Sequence, residues 1–261
     1  MTTDDARVLD PTKRFTERAE DYRKYRPSYP PEVVDLLARE CGFDADSVVA
    51  DIGSGTGILC GLMLERGCTV YGVEPNAAMR AAAEQAFSGN HRFASVDGAA
   101  EATGLDAESC DIVTSSQAFH WFDRPLARRE FKRILQGHGW VVLIWNDRRT
   151  DTQFLARYEQ LLLRYCADYS KVNHRNVDTG VVGEFFDGDC RAEKFANCQR
   201  INYEVFRGRL LSASYAPKEN HPDFQPLMAA LESAFREHER SGQIGFDYDT
   251  RVYYGRLAGD A

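Results

Sequence analysis

The feature that most constrains the fold is a glycine-rich loop between an apolar run and a helical pattern. Val48-Val49-Ala50 leads into Asp51-Ile52-Gly53-Ser54-Gly55-Thr56-Gly57, and residues 58–65 then read as a helix. Glycines at such a junction permit positive φ angles and close approach of a ligand to the backbone. A Walker loop needs glycine at Ile58 with a lysine after it, and a GxGxxG fingerprint also needs glycine at Ile58. Neither motif fits, and the pattern that remains is D-x-G-x-G-x-G.

An acidic residue follows the next β-rich run. Residues 69–73 end at Glu74, which lies 21 positions beyond Gly53. A carboxylate at the tip of the second strand can accept hydrogen bonds from both hydroxyls of a ribose. The loop, the strand and the acid together predict a nucleoside site. The alternative is a tight turn followed by a solvated glutamate.

Apolar runs and helical patterns alternate along the first half of the chain. Such alternation is typical of β-α-β units, in which right-handed crossovers bring the carboxyl ends of the strands to one ligand-binding edge. The prediction is an α/β fold: a doubly wound, Rossmann-like, mostly parallel seven-stranded sheet with helices on both faces and an α-helical cap. Strands are predicted at 48–50, 69–73, 92–96, 111–115, 140–145, 193–205 and 247–254, and helices at 32–39, 58–65, 77–87, 126–135, 154–168 and 226–240.

The same patterns divide the chain into three segments. We expect residues 1–30 to form an N-terminal arm or lid, residues 31–146 the ligand-binding α/β core, and residues 147–261 the remainder of the sheet with the helical cap. The weaker periodicity after Asn146 favours a cap over a separate second domain.

Charge and composition limit the partners. The 261 residues include 32 Lys and Arg against 40 Asp and Glu, a formal net charge of −8. An acidic balance argues against a general nucleic-acid or membrane-surface binder. No apolar run reaches the roughly 18–20 residues of a membrane helix, and the acidic, polar N-terminus is unlike a secretory signal. We therefore expect a cytoplasmic protein. The seven cysteines form no CxxC and no zinc spacing, so no metal is expected.

Four segments resemble the motifs of the class I S-adenosylmethionine-dependent methyltransferases, in particular the type 11-like group. Residues 51–57 look like the first motif, Val73-Glu74-Pro75-Asn76 with Met79 like the second, and residues 98–105 and 111–123 like the next two. The string at 117–122, Gln-Ala-Phe-His-Trp-Phe, is similar to the trans-aconitate methyltransferase-like subgroup, as are Ser28-Tyr29-Pro30 and residues 246–254. The resemblance spans nearly the whole chain, but only the first 146 residues carry cofactor motifs.

This resemblance implies S-adenosyl-L-methionine as cofactor and S-adenosyl-L-homocysteine as product. Asp51 would orient the methionine ammonium through water, and Glu74 would hold the ribose. Arg26 is the candidate for the methionine carboxylate because its guanidinium fork matches that group; the alternative is a surface residue on a flexible arm. Relatives often carry an adenine-binding Asp at the position of Ala99, so backbone atoms are expected to replace it. The expected cofactor residues are Tyr22, Arg26, Asp51, Gly53, Ser54, Gly55, Glu74, Pro75, Met79, Ala99, Ala100, Glu101 and Gln117.

An aromatic cluster follows the fourth strand. Phe119, His120 and Trp121 could form an apolar wall that excludes water and faces a sulfonium. His120 could instead be a catalytic general base for a hydroxyl or amine acceptor, or it could pack in the core and satisfy a backbone carbonyl. A carboxylate nucleophile would need no base, because it is ionised near neutral pH. Phe119, Trp121 and Tyr254 are the expected substrate-pocket residues.

The sequence therefore predicts an enzyme that transfers a methyl group to a small-molecule acceptor, with a carboxylate oxygen as the candidate target. We expect a monomer or homodimer with no nucleic-acid or membrane partner. One alternative is a nicotinamide-dependent oxidoreductase, disfavoured by Ile58 and by the lack of a catalytic Tyr-x-x-x-Lys. Another is a nucleoside-binding protein without catalysis. An RNA methyltransferase would need a basic stripe, and the basic run at 124–133 is interpreted as a solvated helix face.

Overall fold

One seven-stranded sheet organises the computed structural model, which describes residues 19–170 and 179–257. The helices in these ranges are α1 (Ala19–Tyr25), α2 (Glu32–Cys41), α3 (Ile58–Leu64), α4 (Ala77–Ala86), α5 (Arg124–Ile134), α6 (Gln153–Tyr165), α7 (Thr179–Phe185), α8 (Tyr203–Leu211) and α9 (Phe224–His238). The strands are β1 (Val48–Ile52), β2 (Thr69–Val73), β3 (Phe93–Val96), β4 (Cys110–Ser116), β5 (Leu135–Arg148), β6 (Cys190–Ile201) and β7 (Ile244–Gly255).

The strand order is β3-β2-β1-β4-β5-β7-β6. Strands β1 to β5 are parallel, and β7 lies antiparallel between β5 and β6. The predicted doubly wound, mostly parallel sheet is therefore confirmed. The chain leaves β1 toward β2 on one side and returns to β4 on the other, and ligands of such sheets bind in the crevice at this reversal of strand order.

Alternating side chains of the strands face two separate helix layers. On β5, Val142 and Ile144 pack with α2 and α3, whereas Val141 and Leu143 pack with α5 and α7. A third cluster joins α6, α8 and α9 to the first residues of β7, with Phe246 buried among them. This cluster forms the helical cap, and it stands at the same edge of the sheet as the carboxyl end of β5.

The predicted strand at 193–205 is wrong at its carboxyl end. Strand β6 ends at Ile201, and the side chain of Asn202 accepts a hydrogen bond from the backbone N–H of Val205, which caps α8. Tyr203 and Val205 favour strands by intrinsic propensity, but the cap and the packing of α8 override that preference. The helices α1, α7 and α8 are absent from the sequence prediction. Residues 1–18, part of the predicted arm, lie outside the described residues.

Helix α1 bridges the glycine loop and the cap. Arg23 Nη1 donates to the carbonyl of Thr56 in the loop at 2.6 Å. At the other end, Arg209 Nε of α8 donates to the carbonyl of Tyr25 at 2.9 Å. The Tyr25 ring lies directly on Gly208, where any Cβ atom would overlap it. Glycine at 208 thus permits the close approach of the two helices.

We expect Gly208→Ala to undock α1 without unfolding α8. Alanine favours a helix interior by about 1 kcal/mol over glycine, so α8 itself gains stability. The new Cβ would displace the Tyr25 ring. Limited trypsin digestion should cleave α1 several-fold faster, while the Tm changes little.

The matched control is Gly183→Ala in α7, where no atom lies within 4 Å of the added Cβ. Cleavage of α1 in this variant should keep the wild-type rate. Equal cleavage rates in Gly208→Ala and wild type would contradict the proposed docking of Tyr25 on Gly208.

Candidate functional site

The glycine loop is shaped by close packing at one residue and by open space at another. Gly53 and Gly55 have φ angles of 70° and 57°, in the left-handed region that favours glycine. A Cβ at Gly53 would stand 2.5 Å from the Cβ of Ala118, in the segment after β4. A Cβ at Gly55 would meet no atom within 4 Å. The loop therefore packs against the β4 edge at Gly53 and leaves room for a ligand at Gly55.

A cavity of about 220 Å³ opens beside this loop, and we call it the loop cavity. It brings together most of the residues that the sequence predicts to bind the cofactor. It also contains Ser116, Ala118 and Phe122, which the sequence analysis did not select. Its lining is Tyr22, Gly53, Gly55, Glu74, Pro75, Met79, Ala99, Ala100, Glu101, Ser116, Gln117, Ala118, Trp121 and Phe122.

The Glu74 carboxylate is fixed at the cavity edge by two backbone hydrogen bonds. Gly55 N–H donates to Oε2 at 3.0 Å, and Asn76 N–H donates to Oε1 at 2.9 Å. Burial raises the pKa of Glu74, and these two hydrogen bonds and Arg80 oppose that rise. Each carboxylate oxygen keeps a further lone pair that can accept from a ligand hydroxyl.

Three residues of the predicted cofactor set do not line the loop cavity: Asp51, Ser54 and Arg26. Asp51 is 0% exposed, and its two oxygens accept from Thr114 Oγ1 at 2.9 Å and Cys60 Sγ at 3.2 Å. Ser54 is buried behind the loop, where its hydroxyl faces Gly72 of β2. The structure thus buries Asp51 and Ser54 away from the loop cavity, and their roles toward the cofactor stay predictions.

Burial raises the pKa of Asp51 to about 6, while the hydrogen bonds from Cys60 and Thr114 oppose the rise. In the unfolded chain the pKa is near 3.8. Between these values the folded protein binds more protons than the unfolded chain, so the free energy of unfolding falls as the pH rises. The loss amounts to roughly 3 kcal/mol by neutral pH.

Urea unfolding across a pH series should show this fall between about pH 4 and 6. Asp51→Asn has no titratable group at this position and should lack that fall. Asp46→Asn, an exposed control at the turn before β1, should keep it. If the two variants show the same pH dependence, Asp51 is not the titrating group.

A second cavity, of about 130 Å³, adjoins the first and is called the cap cavity. Tyr22, Gln117 and Trp121 line both cavities and form the wall between them. The cap cavity lies where β5, β7 and α8 meet α1. Its lining is Tyr22, Arg26, Pro27, Tyr29, Ile58, Gln117, His120, Trp121, Asn146, Arg148, Tyr158, Arg209, Ser214, Tyr215, Phe246 and Tyr248.

Arg26 lines the cap cavity and not the loop cavity, and its role as a cofactor residue stays a prediction. Its guanidinium carbon stands 4.8 Å from the centre of the Tyr22 ring, and Nη2 donates to the carbonyl of Ser212 at 3.4 Å. The Nε atom is buried without a hydrogen-bond partner among the described residues. Arg148 and Arg209 line the same cavity. No motif in the second half of the sequence marks these two arginines as site residues, so the sequence analysis missed them.

His120 lines the cap cavity next to Trp121, with ring centres 4.7 Å apart. Its Nδ1 atom is buried and has no hydrogen-bond partner in the described part of the chain. Burial lowers the pKa of His120 to about 4, so the ring is neutral at pH 7. The interpretation in which this nitrogen satisfies a backbone carbonyl does not hold.

Two of the three predicted substrate-pocket residues lie outside both cavities. Phe119 is 1% exposed and packs edge-on against Phe185 at 4.9 Å, because the short 3-10 helix Phe119–Trp121 turns it inward. Tyr254 pairs with Val142 at the opposite end of β7 and packs on Trp140. Tyr248, at the other end of the same strand, reaches the cap cavity instead.

The low pKa of His120 can be measured directly. In an NMR pH titration, the His120 ring should stay neutral from pH 8 down to about pH 5, because burial disfavours its charged form. The His120→Gln variant identifies the resonance by its loss. Titration of this ring near its ordinary value of 6.5 would show that it is solvated.

Three structural features concern membranes, metal ions and the basic run on α5. No helix in residues 19–170 and 179–257 is long and apolar enough to cross a bilayer. In the same ranges, no group of three or more His, Cys, Asp or Glu could hold a metal ion. Of the basic run on α5, Arg128 contacts Asp187 and the Phe185 carbonyl, and Arg133 contacts Glu130.

Known proteins share both the motif region and the fold. Residues 50–143 match the family model described as a methyltransferase domain. An uncharacterised methyltransferase of Mycobacterium tuberculosis is 39% identical over 131 residues, and the chain spans about half the length of this relative (49% of each chain). An uncharacterised methyltransferase of Geobacillus kaustophilus is 32% identical over 162 residues, which are 58% of this chain and 73% of the relative.

Solved structures agree with the observed topology. A candidate type II methyltransferase from Anaeromyxobacter dehalogenans superposes with a TM-score of 0.65 at 21% identity, covering 90% of this chain and 100% of that chain. Phosphoethanolamine N-methyltransferase 2 from Haemonchus contortus, in complex with S-adenosyl-L-methionine, gives a TM-score of 0.58 at 16% identity, covering 95% of this chain and 59% of that chain. At these identities, the likeness establishes the fold alone.

Proposed function

The chain belongs to the class I S-adenosylmethionine-dependent methyltransferases, and we propose that it transfers a methyl group to a small-molecule acceptor bound in the cap cavity. The observation that carries this proposal is the wall shared by the two cavities. Tyr22, Gln117 and Trp121 face both of them, so ligands in the two cavities would meet at these side chains. Because the chain belongs to this family, the alternative of a nicotinamide-dependent oxidoreductase is set aside.

The residues of the loop cavity fit S-adenosylmethionine. Glu74 would accept hydrogen bonds from the ribose hydroxyls through its remaining lone pairs. Met79 and Phe122 offer apolar surface to the adenine. Both backbone groups of Ala99 already bond to Ala102 at 3.1 Å, so the adenine edge would meet the backbone of Ala100. When bound here, the cofactor would supply a methyl group activated by a sulfonium.

The protein's contribution to such a reaction is position and exclusion of water. Methyl transfer is an in-line displacement, so a well-aligned acceptor removes much of the barrier. Tyr22 and Trp121 present aromatic faces to the junction, and such faces attract a cation. Helix α1 covers this junction through its contacts with the glycine loop and α8. These groups align the acceptor and keep bulk water from competing with it.

The size and charge of the cap cavity support a small acidic acceptor. A volume of about 130 Å³ is close to that of a cavity that holds benzene. Arg26, Arg148 and Arg209 line it, and a guanidinium fork matches a carboxylate. A carboxylate in the acceptor therefore fits this cavity, as the resemblance to the trans-aconitate methyltransferase-like subgroup suggested. The cytoplasmic location and the monomeric or dimeric state remain predictions.

Calorimetric titration with S-adenosylhomocysteine tests the cofactor site. We expect S-adenosylhomocysteine to bind the wild type with micromolar affinity, and we expect no binding of NADH or NADPH. Glu74→Ala should weaken binding at least tenfold, because the ribose loses its charged acceptor. Glu84→Ala, an exposed residue of α4, is the matched control and should bind as the wild type does.

Each outcome of this titration has a clear meaning. Unchanged affinity in Glu74→Ala would remove Glu74 from the site. Failure of the wild type to bind S-adenosylhomocysteine or S-adenosylmethionine would overturn the cofactor proposal. Binding without turnover of any acceptor would favour the alternative of a nucleoside-binding protein without catalysis.

A further inference from the structure

We propose that Arg26 and Arg209 form a clamp for the carboxylate of a small hydroxy acid, and that the methyl group goes to the hydroxyl of that acid. The carboxylate is thus an anchor and not the methylated group. This inference rests on the proposed function, since it assigns the two ends of an acceptor within the cap cavity. It departs from the expected carboxylate target.

Both arginines take part in reciprocal hydrogen bonds between the end of α1 and α8. Arg209 Nε on α8 donates to the carbonyl of Tyr25, the last residue of α1. Arg26, the next residue, donates through Nη2 to the carbonyl of Ser212, which follows α8. Each guanidinium is therefore fixed at the end of the other's helix. Both line the cap cavity.

Neither guanidinium forms an ion pair with a carboxylate in the described ranges. Arg209 is 7% exposed, and its partners are neutral: the Tyr25 carbonyl, Tyr248 Oη at 3.2 Å and Gln199 Oε1 at 2.7 Å. These bonds use three of its five N–H donors. Arg148 of the same cavity differs, because it pairs with Glu159.

Two largely buried charges of the same sign, without a counter-ion, are costly in a folded protein. A bound anion removes that cost and satisfies the donors that remain. Arg26 Nε, which is buried and without a partner among the described residues, is one such donor. An oxyanion with two acceptor atoms meets this requirement, and a carboxylate matches the planar fork of a guanidinium.

A carboxylate held in this clamp is a poor methyl acceptor. Two guanidiniums would occupy its lone pairs and neutralise the charge that makes it a nucleophile. The hydrogen-bond partners of Arg209 are Tyr25, Gln199 and Tyr248, and none of these three lines the loop cavity. Of the side chains at the junction, Tyr22 has the Arg26 guanidinium 4.8 Å from its ring centre, whereas Gln117, Trp121 and the adjacent His120 are neutral. The end of the acceptor beside His120 is therefore expected to be uncharged.

A hydroxyl fits this end because His120 lines the cap cavity beside Trp121, and its buried Nδ1 has no hydrogen-bond partner among the described residues. The hydroxyl oxygen would form the new bond to the methyl carbon as the carbon–sulfur bond breaks, and the electron pair of that bond would stay on sulfur. The hydroxyl proton becomes strongly acidic as its oxygen is alkylated. A weak base therefore suffices, and His120 would pass this proton to solvent.

Binding to the S-adenosylhomocysteine complex tests the clamp. The probes are 4-hydroxybenzoate, 3-hydroxybenzoate, 3-hydroxybutyrate and lactate, each compared with its methyl ester by calorimetry. At least one acid should bind tenfold or more tightly than its ester. Arg26→Gln and Arg209→Gln should each weaken binding of that acid at least tenfold and leave binding of its ester unchanged.

The matched control is Arg207→Gln, which removes the same charge from an exposed position on α8. Its affinity for the acid should stay within twofold of the wild type. Because Arg209 also supports α1, the affinity for S-adenosylhomocysteine and the Tm are measured in every variant. Arg209→Lys, which keeps the charge but loses the fork, should bind the acid with intermediate affinity.

The position of the methyl group tests the second half of the proposal. Turnover of the bound acid with methyl-labelled S-adenosylmethionine should yield an ether, whose label resists mild alkali. Release of the label as methanol would reveal an ester and overturn the assignment of the carboxylate as an anchor, as would the absence of turnover. If S-adenosylhomocysteine binds but no acid binds more tightly than its ester, the clamp is wrong and the cofactor proposal stands. If S-adenosylhomocysteine does not bind, the proposed function itself fails.

Discussion

The close packing of Gly53 against Ala118 is the constraint on which the site depends. It joins the loop after β1 to the segment after β4, at the point where the strand order reverses. A side chain at residue 53 would push these segments apart and also demand an unfavourable φ angle. With the two segments in contact, Gly55 opens onto one cavity, and Gln117 and Trp121 separate that cavity from the next.

The loop cavity could be predicted from sequence, because parallel strands end at a common edge of the sheet. Once β1, β2 and β4 were recognised as neighbours, Gly55, Glu74 and Gln117 had to lie near one another. The role of Asp51 toward the methionine ammonium stays a prediction, and its burial could not be predicted, because a motif indicates that an acid is needed but not how deeply it lies. Whether these residues bind S-adenosylmethionine stays a prediction until binding is measured.

The cap cavity could not be predicted from sequence, because it depends on how helices that are distant in the chain dock on one another. Arg209 enters the cap cavity only through the contact of α8 with α1, and that contact depends on packing between distant residues. Arg26 is predicted as a cofactor residue from its place in the chain, but its position in the lining of the cap cavity depends on the docking of α1. Tyr254 was misplaced because alternation along a strand identifies a face of the sheet but not which end of the strand meets a ligand.

Tyr25 and Gly208 behave as one packing unit although 183 positions separate them along the chain. Position 208 accepts no side chain while an aromatic ring stands at position 25, and a smaller residue at 25 would leave a void beside α8. A change at either position is therefore tolerated only with a matching change at the other. In homologues with this architecture, the volumes of the two residues should vary inversely. Such covariation would show that the contact between α1 and α8 has been kept while other parts of the site changed.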